Sequence, residues 1–132
     1  MLRFVILEHR WAGVHWDIML EREPGGPLRT WAVDTEIVPG EIQAARVLGD
    51  HRASYLEYEG EVSGGRGSVS RVDHGTYERL DWGPDLVRAR LSGGQFEELA
   101  EFRRAVAGTE GSGMAESAGS SSSWTFRLGN FD

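Results

Sequence analysis

The chain has no cysteine and no lysine. Without cysteine there is no disulfide framework, no thiolate metal site and no thiol nucleophile. Without lysine, all fourteen basic residues are arginines, set against twenty-one acids for a net charge of -7 and a pI near 5.1. Such a charge excludes extensive non-specific contact with duplex nucleic acid, whose affinity is mainly phosphate neutralisation, but leaves room for a local site of a few arginines and a metal. Long apolar runs are also missing. Nothing approaches the ~20 apolar residues of a membrane span, and the opening M-L-R-F-V-I-L-E-H is too short in its apolar part for a signal peptide, so a cytoplasmic chain without a membrane partner is expected. Despite eighteen glycines there is no G-x-x-x-x-G-K-[ST], and no G-x-S-x-G elbow, which excludes a P-loop and a serine-histidine hydrolase. A chain of 132 residues is expected to form one stand-alone domain.

What the sequence does contain is E-H-R-W-A-G-V-H-W-D-I-M-L-E, in which His9, His15 and Asp17 fall within nine residues. If residues 14–20 form a strand, Val14, Trp16, Ile18 and Leu20 point one way, and His15, Asp17 and Met19 the other. His15 and Asp17 then stand roughly 6 to 7 Å apart on one face, close enough to share an ion. His9 ends the preceding apolar run Phe4 to Leu7, and W-A-G lets the chain fold back so that the strand ends meet. Two neutral imidazoles and a carboxylate leave coordination positions open, as a catalytic Mn, Zn or Fe(II) site requires.

Most of the chain reads as strand: Arg3 to His9, Val14 to Leu20, Leu28 to Val33, Ser54 to Gly60, Ser68 to Asp73, Thr76 to Trp82 and Leu86 to Leu91. Seven short strands with Gly, Pro and Asp punctuation predict a mainly β chain, a small closed or nearly closed barrel. D-H-G between Val72 and Thr76 reads as a hairpin, with Gly75 supplying a positive φ and His74 a turn residue. Two short flanking helices are predicted, over Glu41 to Leu48 and over Gln95 to Ala107. Residues 108–123 read as a flexible Gly/Ser-rich linker, and Trp124 to Leu128 as a closing C-terminal strand.

The strings F-V-I-L-E-H, five residues, H-W-D-I-M-L-E, then L-R-T-W-A-V and D-H-R-A-S-Y-L-E-Y-E-G-E-V resemble the 3′-phosphoesterase domain of the bacterial end-joining DNA ligase known as ligase D. The likeness runs from Arg3 to about Gly75. It implies a compact β-barrel that uses a divalent metal, preferably manganese, with zinc or another divalent ion as the alternative, to trim 3′ ends of DNA or of DNA/RNA primer-templates. It implies His9, His15 and Asp17 as metal ligands and His51 and Tyr55 as the groups that approach the phosphate, and it leaves room for a separate ligase or a Ku-type protein as partner. Three positions depart from the family pattern. Met19 replaces an arginine, Gly49 a glutamate and Leu7 a glutamine. A thioether cannot imitate the bidentate fork of a guanidinium on phosphate. Arg66, in S-G-G-R-G, is the candidate that restores a guanidinium as a substrate-binding residue.

The leading expectation is therefore a metal-dependent phosphoesterase of 3′ ends. A catalytically weak or inactive end-binding or interaction module of the same fold is the alternative that Met19, Gly49 and the acidic charge favour. A non-haem Fe(II) barrel oxygenase is a third, since H-x-D with a second histidine supplies the facial-triad ligands.

Overall fold

Alternation of apolar and polar residues along nearly every segment builds one antiparallel sheet that closes on itself. The computed structural model describes residues 1–105 and 123–129. Its elements are β1 (Leu2–Arg10), β2 (Val14–Glu21), β3 (Leu28–Val33), β4 (Ile42–His51), a 3₁₀ turn η1 (Ala53–Leu56), β5 (Gly60–Glu61), β6 (Ser68–Trp82), β7 (Leu86–Gly93), β8 (Leu99–Arg104) and β9 (Ser123–Gly129). The order β1-β2-β3-β4-β9-β8-β7-β6 closes through β1–β6 pairing into an eight-stranded barrel, and β5 is an extra strand on the outer edge of β6. Closure leaves the barrel wall without an unpaired edge.

Each strand sends alternate residues inward. Phe4 and Ile6, Ile18 and Leu20, Trp31 and Val33, and Phe102 and Phe126 meet in a buried core to which all eight barrel strands contribute. Trp31 and Phe102 stack with ring centroids 3.9 Å apart, and Arg29 lies over the rings of Trp31 and Trp82 at one end of the barrel. A second apolar cluster lies on the outside of the wall. Val5, Leu7, Met19 and Leu28 point outward there and are covered by Leu56 and Val62 from the excursion between β4 and β6. This cover explains why the outer face of β2 is not wet: Asp17 is 3% exposed and Met19 1%.

Several local expectations are overturned. Neither predicted helix forms. Residues 42–51 are strand β4, in which Gln43 and Ala45 are buried while Ala44 and Arg46 are exposed, so burial repeats every two residues. The segment from Gln95 to Arg104 contributes the turn after β7 and strand β8, which fills the gap between β7 and β9; the end of that predicted helix, at Val106 and Ala107, lies outside the described residues. D-H-G is not a hairpin. Strand β6 runs through it unbroken, and Gly75 is needed for closeness, because a Cβ there would stand 2.1 Å from the Ser92 carbonyl oxygen of β7. Ser54 to Gly60 holds η1 and the start of β5 in place of a strand. The predicted closing strand is β9, while the linker, Ser123 apart, lies outside the described residues.

The turn after β7 is held by Asp73, a buried acid of β6. Its carboxylate accepts hydrogen bonds from the backbone N–H of His74 (2.9 Å), Gly94 (2.8 Å), Gln95 (3.0 Å) and Phe96 (2.8 Å). Asp73→Ala strands these donors and should cost about 3 kcal/mol, and Asp73→Asn, which loses one acceptor, about 1 to 2 kcal/mol. Urea unfolding tests this. A loss for Asp73→Ala within the ~0.5 kcal/mol of an ordinary surface change would show that the turn holds itself.

Candidate metal centre and its pocket

Antiparallel pairing of β1 with β2 sets His9 opposite His15 and Leu7 opposite Asp17. All four point to the outer face, because the barrel core claims the alternate residues. The hairpin between them is tight, with Ala12 at φ 54° and Gly13 at φ 109°, and the Trp11 N–H donates to the Gly13 carbonyl at 2.9 Å. The predicted trio is thereby brought together. His15 Nε2 lies 3.1 Å from Asp17 Oδ1, His9 Nδ1 lies 3.7 Å from Oδ2, and one ligand atom from each residue falls within 4.8 Å of the others. At metal–nitrogen bonds of about 2.1 Å, ligand atoms at tetrahedral angles stand about 3.4 Å apart, so side-chain rotations that draw the three atoms together would let them share a cation.

Three features fit such an ion. Asp17 Oδ1 is buried, and its close partner is the His15 ring, whose Nε2 lies 3.1 Å away. A buried carboxylate is costly unless a cation meets it. His9 Nε2 lies 2.8 Å from the Arg66 carbonyl oxygen, which accepts only, so Nε2 carries the proton and the Nδ1 lone pair is left for a metal beside Asp17. His15 titrates above the ordinary histidine range because the Asp17 carboxylate beside it outweighs its partial burial, so proton and metal compete for this ring.

A cavity of about 270 Å³ opens over His9 and Asp17. Its polar wall contains His9, Asp17, Asp50, His51, Arg52, Tyr55 and Arg66, and its apolar floor Leu7, Met19, Val62 and Val69. Every site residue expected from the sequence therefore converges on this cavity or on the metal cluster beneath it. The side chain of His51, paired with Leu28 at the end of β4, donates from Nδ1 to the Gly49 carbonyl at 3.0 Å, leaving Nε2 uncommitted. Its ring meets Tyr55 of η1 edge-on at 5.6 Å. Arg66 joins the two walls, giving its carbonyl to His9 and its guanidinium Nε to the Ser63 carbonyl at 2.8 Å. Met19 and Leu7, two of the departures from the family pattern, are both buried in the outer apolar cluster, whereas a side chain at Gly49 would enter open space.

Two residues of the site are absent from the sequence reading. Arg52 lines the cavity, and while its carbonyl accepts from the Tyr55 N–H at 3.0 Å, its guanidinium has no ion-pair or hydrogen-bond partner among the described residues; its place directly after His51 was the available signal. Trp11, 49% exposed, lies with its ring 6.1 Å from that of His9 at 22°. Nothing in the W-A-G spacing marks it.

A family model of the DNA ligase D 3′-phosphoesterase domain matches residues 7–111. The chain belongs to this family. Membership supplies the coarse chemistry, a phosphoesterase domain of DNA end joining, and the matched residues include His9, His15 and Asp17, which the geometry gathers. No curated protein matches the chain with significant similarity. No helix among the described residues is long and apolar enough to cross a membrane.

Because the cluster is fixed by register and by the Arg66 carbonyl, two variants should weaken Mn(II) binding in different ways. His15→Ala removes a ligand and should lose most of the affinity. Gly67→Ala leaves the ligands in place but has φ 76°, and its Cβ would lie 1.9 Å from the Arg10 carbonyl oxygen, displacing the Arg66 segment from His9. It should cost about 1 to 3 kcal/mol of stability and about 10- to 100-fold in affinity. Equal Mn(II) binding by His15→Ala and wild type in titration calorimetry would remove the trio as the metal site.

Proposed function

We propose that the chain hydrolyses phosphate esters at the 3′ ends of DNA or RNA-tipped DNA, removing a terminal phosphate or ribonucleoside, with a divalent cation held by His9, His15 and Asp17. Mn(II) is the favoured ion, with zinc or another divalent ion as the alternative. The observation that carries this reading is the cluster of His9, His15 and the buried Asp17 beside a cavity in which the guanidiniums of Arg52 and Arg66 pair with no carboxylate among the described residues, the lining Asp50 being engaged by Arg22.

A cation bound there supplies Lewis-acid stabilisation of charge developing on the phosphate. The chain's own groups do the rest. His51 in its protonated form, with Nδ1–H on the Gly49 carbonyl, gives its Nε2 proton to the leaving oxygen as a water attacks the phosphorus and that water's proton passes to solvent. Tyr55, whose ring is set by His51, orients a phosphate oxygen through its hydroxyl. Arg52 and Arg66 bind the remaining oxygens in charge-assisted contacts. The apolar floor at Leu7 and Met19 limits water at the reacting centre. A separate ligase or Ku-type protein would receive the repaired end.

One observation favours a second reading, a binding module without turnover: the family's arginine and glutamine are replaced by two side chains buried together. The oxygenase alternative gains nothing from family membership.

Incubation with Mn(II) and a 5′-labelled primer annealed to template, ending in a 3′-phosphate or in one ribonucleotide, decides between them. Wild type should convert the 3′-phosphate primer to a 3′-hydroxyl end, and the ribonucleotide-tipped primer first to a 3′-phosphate end and then to a 3′-hydroxyl. His51→Ala should lower the rate about 10²- to 10⁴-fold with metal binding and melting temperature nearly unchanged. A wild type that binds Mn(II) yet forms no product from either primer establishes the binding module.

A further inference from the structure

Four of the five tryptophans belong to the barrel core or pack against it. Trp11 does not. It stands at the tip of the β1–β2 hairpin, half exposed, with its ring close to parallel to that of His9. A single exposed aromatic is ordinary on a protein surface, but this one is placed and braced. The hairpin φ angles of Ala12 and Gly13 fix its backbone, and the glycine at position 67 lets the neighbouring loop pass directly beneath its Cβ, which a side chain there would approach to 2.7 Å. The other exposed aromatic of this region, Tyr58, is engaged: its hydroxyl donates to the Glu61 carbonyl and its ring meets Tyr55 edge-on at 5.9 Å.

Charge gives the second half of the argument. With a net charge of -7, and with half of the arginines tied to carboxylates, overall charge gives the chain little hold on a phosphate backbone. An acidic protein must gain its hold on nucleic acid from something other than backbone charge, and aromatic stacking is indifferent to that charge. Stacking also distinguishes an end from an interior. Inside a strand both faces of each base are covered by its neighbours, whereas the terminal base presents one free π-face.

We propose that Trp11 is the stacking platform for the 3′-terminal nucleobase, and that end recognition comes from this free face and the metal cluster beside it, with little help from backbone charge. The proposal rests on the phosphoesterase reading for the identity of the ligand. A base on the indole leaves its 3′-phosphate within reach of the His9, His15 and Asp17 cluster, because the platform ring adjoins His9 itself.

The test is fluorescence anisotropy with Mn(II) and a labelled primer–template ending in a recessed 3′-hydroxyl, compared with the same duplex bearing an abasic 3′-terminal residue. Wild type should bind the intact end about five- to a hundred-fold more tightly than the abasic one. Trp11→Ala should weaken binding of the intact end by a similar factor and be insensitive to the abasic change, while Trp11→Phe should recover most of the loss. A duplex closed at both ends by hairpin loops should compete poorly. Wild-type binding that is unaffected by the missing base, or the same abasic loss in wild type and Trp11→Ala, would overturn the proposal. The abasic comparison in wild type decides it even if Trp11→Ala proves unstable. Product formation by wild type on a 3′-phosphate primer separates the two claims: turnover without any Trp11 or base dependence removes the platform and keeps the hydrolase, and base-dependent binding without turnover does the reverse.

Discussion

Everything in this site depends on the pairing register of the first two strands. With His9 opposite His15 and Leu7 opposite Asp17, the ligand atoms meet across one ladder. A slip of one residue would send all of them into the barrel core, because side chains alternate faces along a strand. Such a slip is opposed from both sides. Inside, Phe4 and Ile6 pack with Ile18 and Leu20; outside, Val5 and Leu7 pack with Met19. An antiparallel strand with one wet face has its register set by one hydrophobic row. These two have it set by two, so the carboxylate of Asp17 is held in place by the packing on both faces.

The excursion between β4 and β6 supplies the second of those rows and also the chemistry that faces the ligands. It carries Arg52, Tyr55 and Arg66, and it is anchored where its glycine at position 67 meets the hairpin and where Arg3 pairs with Glu57 at 3.1 Å. The division of labour is physical. Metal ligands need positions fixed to a fraction of an ångström, and the barrel wall supplies them; groups that grip a substrate sit on a covering segment held by apolar contacts. The Arg66 carbonyl on His9 couples the two, since it orients an imidazole of the wall from a loop of the cover.

Much of this was legible. The faces of β2 and the meeting of the strand ends at W-A-G follow from period-two alternation, which acts locally, whereas His51 and Tyr55 were pointed to by the family resemblance and Arg66 as a candidate for the missing guanidinium. The failures are non-local. E-I-Q-A-A-R-V-L has the composition of a helix, but a barrel with seven strands beside it stabilises an eighth, and tertiary pairing overrides that preference. Phe96, Leu99 and Phe102 have helical spacing, yet Asp73, more than twenty residues upstream, folds the start of the segment into a turn and leaves Leu99–Arg104 to pair with β7 and β9. D-H-G looked like a turn because glycine with aspartate usually marks one; here Gly75 answers the crowding of β7, which no single-sequence pattern records. Arg52 and Trp11 were missed for a related reason, since exposure beside a site is a property of the assembled surface.

The two apolar departures are best understood as one change. Leu7 and Met19 flank Asp17, across the ladder and along the strand, and both are sealed under Leu56 and Val62. A guanidinium at position 19 would be desolvated among Val5, Leu28 and Leu56, a severe cost unless a carboxylate or phosphate met it there. Once the cover packs tightly enough to exclude water from that spot, an arginine on the wall becomes unfavourable and a thioether fits. Positive charge at the cavity then comes from its other side, where Arg52 and Arg66 lie on the cover with their guanidiniums paired to no carboxylate among the described residues. On this account the acidic composition and the missing wall arginine are compatible with turnover, because the site's cations have moved to the segment that closes over the substrate.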